Sequence, residues 1–446
     1  MALPPTACGR WLLPSLGTES MNYADALAFL DAHVNLEADP APRAAAMRLD
    51  RIRRVTELMG DPQHACPVIH LTGTNGKGST ARMITALLQV QGLSVGTYTS
   101  PHLERINERL TWNGAPISDE DFAEVIAAVA RLEPLLDGPL SHFEILTAAA
   151  FRWFADIAVD VAVIEVGLGG RYDATNVADA AVAVVTNVAL DHIEVIGPTR
   201  EDIATEKAGI VKPGTTLVLG ETDPALAHLF DADIVWRRHE EFDCDDNRAA
   251  HGGRVLLLRT PGAAYEGVFL PLHGAHQADN AALALAAAEA FFGTPLHEDV
   301  VTEAFATVRV PGRMEVVGRH PLRILDGAHN PAGAQAAGLT LDDEFAGSDS
   351  RILVVGMLQG RDPVQMLEAF DPSSVRLVVV CPPPSPRAMP VEQVAAAARS
   401  LGMEVVTDDS VEGAVRWALH EAREDELVLV TGSLYVVGAA RSVLTG

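Results

Sequence analysis

Residues 68–80 read VIHLTGTNGKGST, and no other stretch narrows the possible folds as far. A short apolar run, Val68, Ile69 and Leu71, leads into Gly73, Thr74, Asn75, Gly76, Lys77, Gly78 and Ser79. Met83, Ile84, Leu87 and Leu88 then recur at helical spacing, and Gly92 is a stop signal. Strand, glycine-rich turn and helix in that order make a phosphate cradle. The glycines let backbone N–H groups close around an anion, and the helix N-terminus adds partial positive charge. Lys77 suits the terminal phosphates of a nucleotide, and the Ser79 hydroxyl suits Mg²⁺. The spacing is tighter than in the common P-loop, because only Thr74 and Asn75 separate Gly73 from Gly76 and Gly78 intervenes before Ser79. A βα turn that binds nothing is the plain alternative, but packing gives no reason for a lysine followed so closely by a serine there.

A chain of 446 residues exceeds a single core, so two domains are expected. An apolar share of 48%, rich in Ala and Val, suits helix-covered sheets. The 33 Lys and Arg against 60 Asp and Glu leave a formal charge of −27, which argues against a nucleic-acid or anionic-membrane surface. An anionic substrate must then be met by local positive charge. Cys8, Cys66, Cys244 and Cys381 form no CxxC pair, so neither a disulfide framework nor a zinc site is indicated, and a cytoplasmic location is expected. No apolar run approaches the ~20 residues that span a bilayer. The apolar stretch at Trp11 is short and Pro-broken, unlike a signal sequence, and residues 1–20 are expected to be an upstream start or a disordered lead-in.

Further along, residues 21–60 have a helical pattern closing at Gly60, Asp61 and Pro62. Strand patterns at 94–99, 159–166, 181–185 and 215–219 alternate with helices from Ser118 and over 144–154. Residues 231–268 are polar and irregular, with hairpins expected near the sheet edge, and 276–292 return to helix. Val310, Pro311, Gly312 and Arg313 have the composition of a linker. After them, strand patterns at 322–325, 351–355, 375–380, 404–406 and 427–430 alternate with helices, which predicts a second, smaller doubly wound sheet.

Eight blocks carry a resemblance. They are GTNGKGST at 73–80, TSPH at 99–102, EVGLGGRYDATN at 165–176, LDH at 190–192, EKAGI at 206–210, HQADNA at 276–281, PGRMEV at 311–316 and LDGAHNP at 325–331. In this order they resemble the Mur-ligase superfamily, and within it folylpolyglutamate synthase, often bifunctional with dihydrofolate synthase. The similarity runs from about Met21 to TGSLYVVG at 431–438. It implies an α/β fold: a P-loop-containing, mostly parallel sheet over 21–308, a linker over 309–313, and a smaller Rossmann-like α/β domain over 314–446. It also implies an ATP-dependent ligase in which a folate or dihydropteroate carboxylate is phosphorylated and then attacked by the amine of L-glutamate. Chemistry of that kind needs positioning and charge neutralisation more than covalent catalysis.

By the same resemblance, Asn75, Gly76, Lys77, Gly78 and Ser79 cradle the nucleotide phosphates. Asn280 meets the adenine, Arg313 the phosphates and Asp326 the ribose, with His329 facing the acyl phosphate. Ser79, Ser100, Glu165 and His192 are expected to ligate Mg²⁺, and Lys207, as a carbamate, a second Mg²⁺; a monovalent cation is a further expectation. Lys77, His192, Lys207 and His329 would be catalytic. On residue type alone, Glu165 reads equally as a carboxylate capping the turn at 167–170, and Lys207 as a surface helix lysine.

The pterin end is expected at Ser141, His142, Phe143 and Glu144 and at Tyr172, Asp173 and Ala174, with Phe143 stacking on the ring and Asp173 bonding its amino group. Arg387 is a candidate for the anionic glutamate tail. Two departures stand out: Arg48 where the family tends to show glycine, and GMLQGRD at 356–362 in place of the more usual GxxxDKD. A monomer is expected. A Mur-type ligase of nucleotide-linked peptides would need a longer N-terminal domain than the stretch before residue 68 supplies. A non-catalytic switch on this fold should have lost Lys77, Glu165, His192 or Lys207. A plain kinase would release ADP without glutamate.

Overall fold

The computed structural model describes residues 21–35, 48–193, 195–348 and 350–445. The expected lead-in at 1–20 and the middle of the helical pattern at 21–60 lie outside the described residues; helices Tyr23–Asp31 and Asp50–Leu58 flank the latter.

An eight-stranded sheet organises the first part of the chain. Its strands are β1 (Val68–Thr72), β2 (Val95–Tyr98), β3 (Leu110–Trp112), β4 (Ala115–Pro116), β5 (Val161–Glu165), β6 (Ala180–Val185), β7 (Thr216–Leu219) and β8 (Ile234–Arg237), ordered β4-β3-β2-β5-β1-β6-β7-β8. The six strands from β2 to β8 in that order run parallel, and β3 runs against them, pairing antiparallel with β2 and with β4. Alternation along β1 divides the core. Ile69 and Leu71 pack with Ile84 and Leu87 of helix Lys77–Val90 and with helix His276–Phe292. Val68 lies on the other face, in the cluster that holds Ile145 and Phe154 of helix His142–Asp156. Apolar residues on both faces explain why β5 and β6 read as near-continuous hydrophobic runs.

Residues 231–268 form the expected hairpins beside the edge strand β8. After β8 they form β9 (Asp243–Ala250), β10 (Gly253–Arg259) and β11 (Ala264–Leu270), an ordered three-stranded antiparallel sheet. It does not extend the large sheet's edge. Leu256, Leu258 and Val268 instead pack into the cluster that holds helix His276–Phe292. Polar residues on its outer face hid the alternation.

The second large sheet has β12 (Glu315–Arg319), β13 (Leu322–Leu325), β14 (Arg351–Val355), β15 (Val375–Val380), β16 (Glu404–Thr407) and β17 (Leu427–Thr431), ordered β12-β13-β17-β14-β15-β16. All pairs are parallel except β12 with β13. Leu353 and Val355 face helices Pro331–Glu344 and Val391–Ser400, whereas Ile352 and Val354 face helices Val411–Glu421 and Leu434–Thr445. Helices on both faces make it the doubly wound unit that the alternating pattern implied. Among the described residues, no helix is long and apolar enough to cross a membrane.

Candidate active site

The P-loop begins where β1 ends, between the carboxyl ends of β5 and β6, which is where open α/β sheets gather ligands. Gly73 has φ +149° and a Cβ there would stand 1.7 Å from Thr186 Oγ1; Gly76 has φ +84° and a Cβ would stand 2.4 Å from Asn280 Oδ1. Both positions thus need glycine for space as well as conformation. Gly76 is the N-cap of helix Lys77–Val90, with no side chain covering its first N–H groups. Loop shape is fixed from β6: Thr186 Oγ1 donates to Asn75 O at 2.6 Å, and Asn187 both accepts from Asn75 N (3.0 Å) and donates to Asn75 O (3.1 Å). Lys77 Nζ donates to the carbonyls of Gly73 (3.0 Å) and Thr74 (3.3 Å), so its charge stays over the loop.

Glu165, at the end of β5, is 4% exposed and accepts from Ser100 N at 3.3 Å. Burial raises its pKa above the ordinary carboxylate value, against Lys77, the Ser100 N–H, Arg313 and Arg82. A buried carboxylate in that position is stabilised by a cation. Ser79, Ser100, His192 and Lys207 line the same cleft. This donor set, mostly hard oxygens around one imidazole, fits a magnesium-type ion sharing ligands with nucleotide phosphates. Among the described residues no three His, Cys, Asp or Glu side chains gather to hold a metal alone, as expected of a set that uses hydroxyls. His192 has φ +51°, in the loop that follows β6. Such a backbone persists where surroundings fix it, and it is enriched at functional sites.

Lys207 is no surface lysine: it is 4% exposed. Burial, reinforced by Lys77, pushes its amine down to about 7, against the pull of Asp191, Glu206 and Asp173. A neutral amine is the form that adds CO₂, so the residue is chemically fit for carbamylation.

From the second sheet, Asp326 lies just past β13, 7% exposed, its carboxylate accepting from Met314 N and Ala328 N at 2.9 Å each. Burial raises it, with Arg313 the main opposing charge. His329 Nδ1 lies 3.0 Å from Gly327 O, leaving Nε2 turned to Asp191 at 3.9 Å. Burial pushes this imidazole down to about 4, against Asp191. Arg313, Asn280, Asp326 and His329 all line the cleft that holds the P-loop.

Three residues that join the two sheets carried no assigned role in the sequence reading. Asp191, 8% exposed, pairs with Arg361, and Asn330 Nδ2 lies within reach of both Asp191 Oδ2 (3.2 Å) and Asn75 Oδ1 (3.0 Å). Burial would raise Asp191, but His192, Arg361 and His329 together hold it well below the usual range. Position beside His192 in LDH, and beside His329 in AHNP, was the available signal.

An apolar pocket opens beside this cleft and shares Ser100, Gly167, Leu168, His192 and His329 with it. Phe143, Tyr172, Asp173 and Ala174 line it, as do Ser141 and Glu144. Ser141 and Glu144 form the capping box of helix His142–Asp156, which begins two residues before the expected start, and Arg51 also binds Glu144 at 3.1 Å. His142 is buried in that first turn, with its N–H donating to Val34 O at 3.0 Å, and does not line the pocket. Three guanidinium groups, Arg48, Arg361 and Arg387, line the pocket wall, the local positive charge a −27 chain needs for an anionic ligand.

Comparison with known proteins agrees with this geometry. Residues 141–288 match the Mur ligase middle domain, and residues 312–434 match the Mur ligase, glutamate ligase domain. A dihydrofolate synthase/folylpolyglutamate synthase of Mycobacterium tuberculosis is 40% identical over 439 residues, covering 89% of each chain. A crystal structure of M. tuberculosis folylpolyglutamate synthase complexed with ADP and AMPPCP superposes with a TM-score of 0.87 at 38% identity, covering 95% of this chain and 99% of that one. Escherichia coli FolC in complex with DHPP and ADP gives 0.83 at 32% identity, with 95% and 97% covered. The chain belongs to the Mur ligases, and within them to the dihydrofolate synthase/folylpolyglutamate synthase family.

Proposed function

We propose that the protein is an ATP-dependent ligase adding L-glutamate to folates, with dihydropteroate as a second acceptor. The observation that carries this reading is the junction of the two cavities. A phosphate cradle and a ring-sized apolar pocket with an arginine wall share Ser100, His192 and His329. A ligand with its ring among Phe143, Tyr172 and Ala174 would present its carboxylate there, at the end of the P-loop. The nucleotide complexes of the relatives lend support.

On this reading Asn75, Gly76, Gly78 and Lys77 hold the phosphates, Asn280 the adenine, and Arg313 a phosphate oxygen. Asp326 takes the ribose hydroxyls with the lone pairs its two backbone contacts leave over. Ser79, Ser100, Glu165 and His192 would hold one Mg²⁺ and carbamylated Lys207 a second; a bound Mg²⁺ supplies charge neutralisation as the phosphoryl group moves. Electrons of the substrate carboxylate attack the γ-phosphorus and ADP leaves. The glutamate amine then adds to the acyl carbon and expels phosphate. Lys77 and Arg313 stabilise charge on the moving phosphoryl oxygens, and His329 sits where the acyl phosphate forms. Arg387 meets the anionic tail. A monovalent cation, a monomeric state, a cytoplasmic location and division into 21–308, 309–313 and 314–446 complete the proposal.

The test is ADP release with Mg²⁺ and glutamate, comparing dihydropteroate, tetrahydrofolate and no pterin. Turnover with both pterins supports the bifunctional reading, and turnover with tetrahydrofolate alone restricts it to polyglutamate synthesis. ADP release that ignores glutamate would make the protein a kinase, and no pterin dependence would sink the folate assignment.

A further inference from the structure

A polar thread runs from the middle of the large sheet to the apolar pocket. His70 lies on the central strand β1, 0% exposed, among the apolar side chains of the cluster containing Val68. His70 Nε2 lies 2.8 Å from Thr175 Oγ1. Thr175, also 0% exposed, places that hydroxyl 2.5 Å from Asp173 Oδ1, and its N–H donates to the same oxygen at 3.0 Å. Leu168 N donates to Asp173 Oδ2 at 2.9 Å. Asp173 itself faces the pocket.

Proton positions along this thread follow from donor and acceptor chemistry. An ionised Asp173 accepts only, so the Thr175 hydroxyl must give its proton to Asp173. That hydroxyl can then only accept from His70, which places the imidazole proton on Nε2. Nδ1 is left bare, and it is a buried nitrogen without a hydrogen-bond partner among the described residues. Burial, with Lys212 adding to it, holds His70 down to about 3, so the ring is neutral.

We propose that His70 is a positioning residue for ring recognition: through the Thr175 hydroxyl it holds Asp173 as a fixed acceptor, aimed at ligands whose edge carries an amino N–H donor. This rests on the reading that the pocket takes a pterin. Thr175 fills the acceptor sites of Oδ1 and Leu168 takes one on Oδ2, so the pinned carboxylate offers a ligand N–H its remaining Oδ2 site in one geometry, and it rejects a ring edge that presents an acceptor there. The competing account makes Asp173 only the cap of the short helix Ala174–Val177, with His70 a core residue.

Four variants separate the accounts. Thr175→Val removes the hydroxyl and keeps the shape; His70→Met removes the donor. Each should raise the pterin KM about tenfold, the worth of a hydrogen bond to a charged group, and leave the KM values for glutamate and ATP unchanged. His70→Gln, whose amide nitrogen can reach the Nε2 position, should restore most of the pterin KM. In the wild type, nitrogen NMR of the His70 ring should report the neutral Nε2–H form. Asp173→Asn is the control for the underlying reading. If Asp173→Asn leaves the pterin KM unchanged, the pocket reading fails and the relay with it. If that variant raises KM while Thr175→Val and His70→Met lower only the melting temperature, the relay alone is overturned. Should His70→Met not fold, Thr175→Val decides.

Discussion

Asp191 and Arg361 form an ion pair across the cleft, joining the loop before His192 to the loop after β14. Their side chains are 7% and 13% exposed, and Asn330 ties the same carboxylate to the P-loop residue Asn75. The pair thus connects the P-loop, the loop of His192 and the second sheet at one point. Truncating one partner of a buried charge pair leaves the other uncompensated, at about 2–5 kcal/mol. Arg361→Met should lower kcat/KM for ligation by about 30-fold or more, with partial recovery in Arg361→Lys, as measured by steady-state kinetics with glutamate varied. An unchanged kcat/KM would mean the pair does not order the site.

Lys207 should need CO₂. Its amine titrates near 7, so a large share is neutral in ordinary buffers. Lys207→Ala should lose roughly 10- to 100-fold in activity, the range for altered metal surroundings, and regain part with a short-chain carboxylic acid. Wild-type activity should fall in CO₂-depleted buffer and return with bicarbonate. Indifference to both additions would exclude the carbamate.

Ring recognition should depend on pH with a definite sign. Burial raises Asp173 to about 6, opposed by the N–H and O–H donors of Thr175 and Leu168. Below that value the carboxyl is protonated in the folded protein and is a much weaker acceptor for a ring amino N–H. The pterin KM should therefore rise as pH falls through about 6, while Asp173→Asn gives a high KM that no longer varies there. A KM rise on the alkaline side instead would contradict the assignment.

Stability of the second sheet should depend on Glu426. It is 1% exposed, and Arg376 donates to its two oxygens at 2.6 and 2.8 Å. Burial would raise it, but Arg376, Ser350 and the Arg423 N–H pull it down to about 2. A depressed carboxyl stabilises the fold above its unfolded value of 4.5, and that contribution disappears as pH falls toward 2. Glu426→Gln should lower the unfolding free energy by about 3 kcal/mol at neutral pH in urea titration, with the difference shrinking in acid. Equal midpoints at neutral pH would refute this.

Legibility in the sequence followed periodicity. Strands β5 and β6 announced themselves because apolar residues on both faces leave no alternation to confuse. The P-loop was legible because Gly73 and Gly76 answer to close backbone approach. The β3–β4 hairpin was passed over although its turn is Asn113-Gly114, both with positive φ, a strong hairpin signal. Asp191, Arg361 and Asn330 are single polar residues in loops, where no period marks them; only the folded chain shows them converging. The burial of Lys207 was equally hidden, because its short helix has little apolar character around it.

The most direct measurement follows an oxygen atom. A folate or dihydropteroate acceptor with heavy oxygen in its reacting carboxylate is incubated with the protein, ATP, Mg²⁺ and glutamate, and the inorganic phosphate is analysed by mass spectrometry. Attack of the carboxylate on the γ-phosphorus followed by amide formation must leave one labelled oxygen in phosphate for every amide made. Label in phosphate that requires glutamate is the predicted result. Amide formation with unlabelled phosphate, or ADP release without amide, would contradict the acyl-phosphate account.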